Sequence, residues 1–136
     1  MFDKAIEDFN AAIALKPANK LAYNYLGALY LDTGHVEQAK EYLDKSIALD
    51  PQYAEPYNNR GIFSVYTGQY DRALEDFSKA IELQSDNAVA YRNRGSLYRR
   101  MGNNERALAD FKKACDLGNE PGCGAFRQLS RGSQPE

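Results

Sequence analysis

The residues able to do chemistry in this chain are few, and their spacing narrows what that chemistry can be. Cys115 and Cys123 are the only cysteines, and His35 is the only histidine, in 136 residues. Two thiols and a distant imidazole cannot complete a tetrahedral metal set. There is no Ser/His/Asp arrangement, no HExxH pair, no glycine-rich phosphate loop and no paired carboxylates to propose. An enzyme is therefore a poor reading, no cofactor or metal is expected, and His35 reads as solvated and without function. What remains is polar recognition. Asn58, Asn59 and Asn93 fall inside helical pattern, where asparagine has middling propensity and no capping duty. A carboxamide donates and accepts at once, which suits an extended peptide backbone. Arg92, Arg99 and Arg100 gather positive charge in one stretch of a chain whose net charge is −2. That is a setting for an acidic side chain or a terminal carboxylate. The plainer reading, a solvated polar surface, is the alternative.

The elements that position these residues follow from one period. Sliding the chain by 34 residues brings Tyr23, Tyr57 and Tyr91 into register, with Gly27, Gly61 and Gly95. Gly34, Gly68 and Gly102 align too, as do Ala39, Ala73 and Ala107, and then Leu43, Phe77 and Phe111. A period of this size marks a stacked helical repeat. Apolar spacing predicts helices at Asp3–Leu15, Lys20–Thr33, Val36–Leu49, Glu55–Thr67, Tyr70–Leu83, Ala88–Met101 and Asn104–Leu117. Asn19 suits an N-cap, and Gly34 suits the left-handed residue after a helix. A glycine inside a helix costs about 1 kcal/mol against alanine. Gly27, Gly61 and Gly95 are therefore expected to mark backbone-to-backbone contact opposite Ala39, Ala73 and Ala107. One polar pairing repeats. Arg60 and Arg94 precede two of these glycines, and sixteen positions on stand Asp76 and Asp110, whereas the first repeat has Leu26 and Tyr42. Arg60–Asp76 and Arg94–Asp110 are expected to be ion pairs within a hairpin, because partly buried charges need partners.

Bulk properties bound the rest. The length suits one domain, and 43% apolar with 26% charged residues is an ordinary soluble composition. The charge balance disfavours nucleic acid and anionic membrane as partners. No stretch approaches the about 18 consecutive apolar residues of a membrane span, and the amphipathic, mixed-charge N-terminus is no signal peptide.

These columns resemble the tetratricopeptide repeat (TPR) family, with three full repeats at 20–53, 54–87 and 88–121. A half repeat precedes them at 1–19 and matches only a unit's second helix. The opening in mid-repeat suggests a piece of a longer protein. The resemblance implies an all-α, right-handed superhelical solenoid of antiparallel hairpins, forming a single domain over 1–131. Cys123, Phe126 and Leu129 give a capping helix at 122–131, and a disordered tail is expected at 132–136. The resemblance also implies a protein-binding adaptor or scaffold that holds a partner's peptide or helical segment in a concave groove. By it, the groove presents Asn24, Tyr25 and Ala28, then Asn58, Asn59 and Ile62, then Arg92, Asn93, Ser96 and Arg99. Chaperone-binding members carry a basic two-carboxylate clamp. Asn59 matches its central asparagine, but Val89, Asn93, Asn24 and Ala28 leave the clamp mostly absent, so heat-shock chaperone tails are not expected partners.

The string KKACDLGNEPGC is similar to the cysteine-rich Sel-like repeats, secreted relatives with hairpin disulfides. Two readings of Cys115 and Cys123 stay open. They form a disulfide, implying a periplasmic or secreted protein, or they are reduced thiols packed in a cytoplasmic one. The alternative functions are a self-assembly module, dimerising through the unpaired first helix, and a non-catalytic scaffold fragment of a larger protein.

Overall fold

The computed structural model describes residues 2–132, with only the backbone of Phe2. Among the described residues there are eight helices and no strand: α1 (Phe2–Leu15), α2 (Lys20–Asp32), α3 (Val36–Leu49), α4 (Glu55–Tyr66), α5 (Tyr70–Leu83), α6 (Ala88–Arg100), α7 (Asn104–Asp116) and α8 (Glu120–Gly132). The all-α helical-repeat class implied by the 34-residue period is the one found. The chain divides into two compact units, Met1–Asp76 and Phe77–Glu136, with the division inside α5. In the first unit α2 and α3 form a hairpin, α1 packs on α2, and α4 packs on α3 and α2. In the second, α6 and α7 form a hairpin and α8 packs on both.

Caps explain the boundaries. Asn19, Asn87 and Asn103 each accept a backbone N–H three residues on, at 3.1 to 3.2 Å. These bonds satisfy donors that the first helical turn leaves open. Helices α2, α4, α6 and α7 stop one residue before the sequence pattern places their ends. Thr33, Thr67, Met101 and Leu117 act as C-caps instead. Gly34 then turns the chain at φ 83°, a conformation that costs glycine nothing. Helix α8 begins at Glu120 rather than 122, because the Asn119 side chain accepts the Gly122 N–H at 2.7 Å and caps the helix. It runs to Gly132, so residue 132, expected to open the tail, is helical. Residues 133–136 lie outside the described residues.

The close approach at the helical glycines differs from the backbone-to-backbone contact expected. A Cβ placed on Gly27 would lie 2.5 Å from the Leu43 side chain, while the Ala39 carbonyl oxygen stands at 3.4 Å. On Gly95 it would meet the Phe111 ring at 2.9 Å. The glycine leaves a socket for a large side chain one turn beyond the alanine, and Leu43 and Phe111 fill it with no exposure. In the first unit the core joins Leu31, Ala39, Leu43 and Phe63, with Tyr30, Val36 and Ile62 against it. In the second unit Phe77, Ala90, Leu97, Ala107, Phe111 and Ala114 are buried.

Candidate functional site

Both expected arginine–aspartate pairs are present and bidentate. Arg60 Nε and Nη2 donate to Asp76 Oδ2 and Oδ1 at 2.8 and 2.9 Å, and Arg94 binds Asp110 at the same two distances. Donation to the aspartate, opposed by burial, raises each guanidinium's pKa above its ordinary value. The charge is therefore permanent. Each arginine has a second partner that the sequence pattern did not single out. Arg60 Nη1 donates to Asp44 Oδ1 at 3.1 Å, and Arg94 Nη1 to Ser78 Oγ at 3.2 Å. Both lie sixteen residues before the arginine, so the offset that found the aspartates would have found these in the opposite direction. Lys40 joins from the far side, donating to Asp44 Oδ2 at 2.6 Å. These groups hold helices together.

The asparagines expected to face a ligand are mostly committed elsewhere. Asn24 is 1% exposed, and its Nδ2 donates to Tyr53 Oη at 3.3 Å and Glu55 Oε2 at 3.1 Å. Its Oδ1 accepts from Asn59 Nδ2 at 2.9 Å, and Tyr53 donates to Glu55 at 3.1 Å. A buried amide must be satisfied, and this network satisfies Asn24 without a ligand. Asn58 is buried as well, at 8%. Ile62, also placed in the groove by resemblance, packs on the core cluster because its apolar surface is better removed from water. Tyr25 does reach the surface at 45% exposure, with its ring 5.4 Å from Phe9 of α1. Tyr53 and Glu55 carried no signal in the repeat columns. They are legible only as the loop and first turn following an asparagine one period earlier.

Helix α6 is different. Arg92 occupies the column of Asn24 and Asn58. Among the described residues no group pairs with its half-buried guanidinium, and the Nε is buried with no hydrogen-bond partner. The register gives the reason. Two periods after Tyr53, Glu55 and Asn59, which serve Asn24, stand Pro121, Cys123 and Arg127. None of these supplies an anionic oxygen. Ser96 and Arg99 are exposed on the same helix, and Arg99 lies over the Phe111 ring at 5.4 Å. This surface of α6 therefore carries an unneutralised cation with polar neighbours.

The sulfurs of Cys115 and Cys123 are joined, with Cα atoms 4.5 Å apart, tying the end of α7 to the start of α8. His35 caps α3 by position, and its Nδ1 lies 2.9 Å from Thr33 Oγ1. Among the described residues no group of three or more His, Cys, Asp or Glu is placed to hold a metal ion. Nor is any helix among them long and apolar enough to cross a membrane.

Comparison with known proteins agrees with this architecture. Tetratricopeptide-repeat family profiles match residues 52–120 and 1–58. A search of curated proteins finds no match. Among solved structures, a crystal structure of MamA is similar at 23% identity and a TM-score of 0.75, covering 96% of this chain and 87% of that one. The TPR domain of Arabidopsis OM64 is similar at 23% identity and 0.77, covering 83% and 95%. The first TPR of Spaghetti (RPAP3), bound to an HSP90 peptide, is similar at 22% and 0.76, covering 83% and 91%. At such identities the likeness is one of fold. The profile match spans half the chain, and the chain belongs to the tetratricopeptide-repeat family, whose repeats serve as protein-interaction scaffolds.

Proposed function

We propose that the chain is a protein-interaction module whose α6 surface takes a carboxylate of a partner segment, either an acidic side chain or a chain terminus. The carrying observation is Arg92, a guanidinium with a buried, unsatisfied Nε. A carboxylate bound at the outer edge of this guanidinium would meet its charge through charge-assisted hydrogen bonds. Asn93, Ser96 and Arg99 supply the polar and basic surroundings. The test is a panel of short peptides with free or amidated C-termini, with and without internal Asp and Glu, titrated against wild type and Arg92→Gln. Binding that needs a carboxylate and weakens at least about tenfold in the variant supports the reading. Equal binding by both proteins removes it.

Self-association is a second reading, favoured by one observation: Leu15 at the end of α1 is 89% exposed. Pairing with another copy would take it out of water. Sedimentation equilibrium over a range of concentrations decides this, since a strictly monomeric species would exclude it.

A further inference from the structure

The bond between Cys115 and Cys123 joins two helix ends of opposite character. Cys115 stands in the last turn of α7, which ends at Asp116, and Cys123 in the first turn of α8, which starts at Glu120. The N–H end of a helix favours an anion, and the carbonyl end disfavours one. A thiolate is therefore stabilised at Cys123 and not at Cys115. Each has one exposed carboxylate close in sequence, Asp116 and Glu120, which leaves the difference to the helix ends. Access has the same polarity. Cys123 is 8% exposed, whereas Cys115 is half-buried and lies nearer water. Burial along α8 is sparse. Of its 13 residues only Gly122 and Cys123 are buried, while Phe126 and Leu129 are half-buried. Gly122 and Gly124 lower its own helix propensity, and an isolated helix of this length is marginal in water. Helix α7, on which α8 packs, buries Ala107, Asp110, Phe111 and Ala114.

We propose that the Cys115–Cys123 bond is a redox latch on α8, opened by a small thiol of the glutathione class that attacks Cys115. The incoming thiolate bonds to Cys115 Sγ, the disulfide breaks, and its electron pair leaves on Cys123 Sγ as a thiolate. A second thiol attacks the sulfur that the first placed on Cys115, forming an external disulfide and releasing the Cys115 thiolate. Two external thiols are thereby oxidised, and their two protons end on the cysteine sulfurs. With the bond open, the low propensity and sparse burial of α8 release it from α7, and the surfaces of α6 and α7 beneath it meet water. Reoxidation restores the cover. This inference does not rest on Arg92, and each can fail alone.

The experiment exposes the oxidised, folded chain to excess reduced glutathione, quenches with acid, and locates the mixed disulfide by peptide mass spectrometry. Glutathione should be found on Cys115 at least about tenfold more often than on Cys123. Adducts spread evenly, adducts mainly on Cys123, or no adduct at all overturn the proposal. Hydrogen exchange then compares the oxidised chain with the chain reduced by dithiothreitol. Amides of α8 should exchange at least about tenfold faster after reduction, while those of α6 and α7 change by less than about twofold. Unchanged protection in α8 would mean that packing alone holds it, and the latch fails. A loss shared equally by α6 and α7 would mean that the bond supports the whole unit, and the latch fails again. Cys115→Ser with Cys123→Ser, without reductant, should reproduce the reduced pattern. An α8 as protected in that variant as in the oxidised chain overturns the proposal too.

Discussion

Arg60 grips Asp76 with two parallel hydrogen bonds of 2.8 and 2.9 Å, across the turn between α4 and α5. The Asp76 side chain is 12% exposed, whereas the Asp44 side chain on the opposite flank of the same guanidinium is 39% exposed. The two aspartates therefore contribute unequally. Asp76→Ala leaves a half-buried cation without its main partner and should destabilise by about 2–4 kcal/mol. Asp44→Ala leaves the bidentate pair intact, lies nearer water, and should cost less than about 1 kcal/mol. Urea denaturation of both variants checks this. Equal losses would mean that Asp44 and Asp76 share the guanidinium evenly.

The glycines separate by what surrounds them. Gly27→Ala gains helix propensity but drives a Cβ into Leu43, which is fully buried and has nowhere to retreat. A net loss of about 1–3 kcal/mol is expected. Gly124 sits inside α8 with nothing within 4 Å of the place a Cβ would take. Gly124→Ala should therefore stabilise by about 0.5–1 kcal/mol. Thermal melts of the two variants should shift in opposite directions. A shared direction would show that propensity or packing alone rules both sites.

What was legible in the sequence was whatever the period repeats. The two arginine–aspartate pairs, the turn at Gly34 and the helical repeat all follow from residues recurring 34 apart. What escaped was whatever breaks the period or runs between repeats. Asn24 looks like a surface residue because it is polar, yet its burial depends on Tyr53 and Glu55, which have no counterparts in the other repeats. Asp44 escaped because it does not recur: the residue at the same offset before Arg94 is Ser78. The resemblance assigns Arg92 to the groove, but the unmet Nε is visible only in the structure, where Cys123 and Arg127 stand in the register of Glu55 and Asn59.

The bond between Cys115 and Cys123 closes a short loop, with a sequence separation of 8. Loop-closure entropy for so short a segment gives about 2–3 kcal/mol of stabilisation. Thiol titration of the unreduced protein in denaturant should find no free thiol. Reduction, or Cys115→Ser with Cys123→Ser, should lower stability by that amount. Recovery of two thiols from the unreduced protein would show the pair to be open in solution.

Tyr53 gives the stability a defined alkaline limb. Burial first, and then the neighbouring Glu55 carboxylate, raise its pKa well above the ordinary 10. Tyr42 shifts the same way, through burial first and then Tyr30. A raised folded-state value means that the folded protein holds the phenol proton more tightly than the unfolded chain. The resulting stability is complete below about pH 10 and is lost as pH rises beyond it toward the folded value. Tyr53→Phe deletes the proton along with the bonds to Asn24 and Glu55. The variant should be weaker at neutral pH by about 1 kcal/mol, yet lose less stability than wild type between about pH 10 and 11.5. Denaturation midpoints across that range check the difference in slope. Parallel curves would mean that Tyr53 titrates no differently in the folded chain than in the unfolded one.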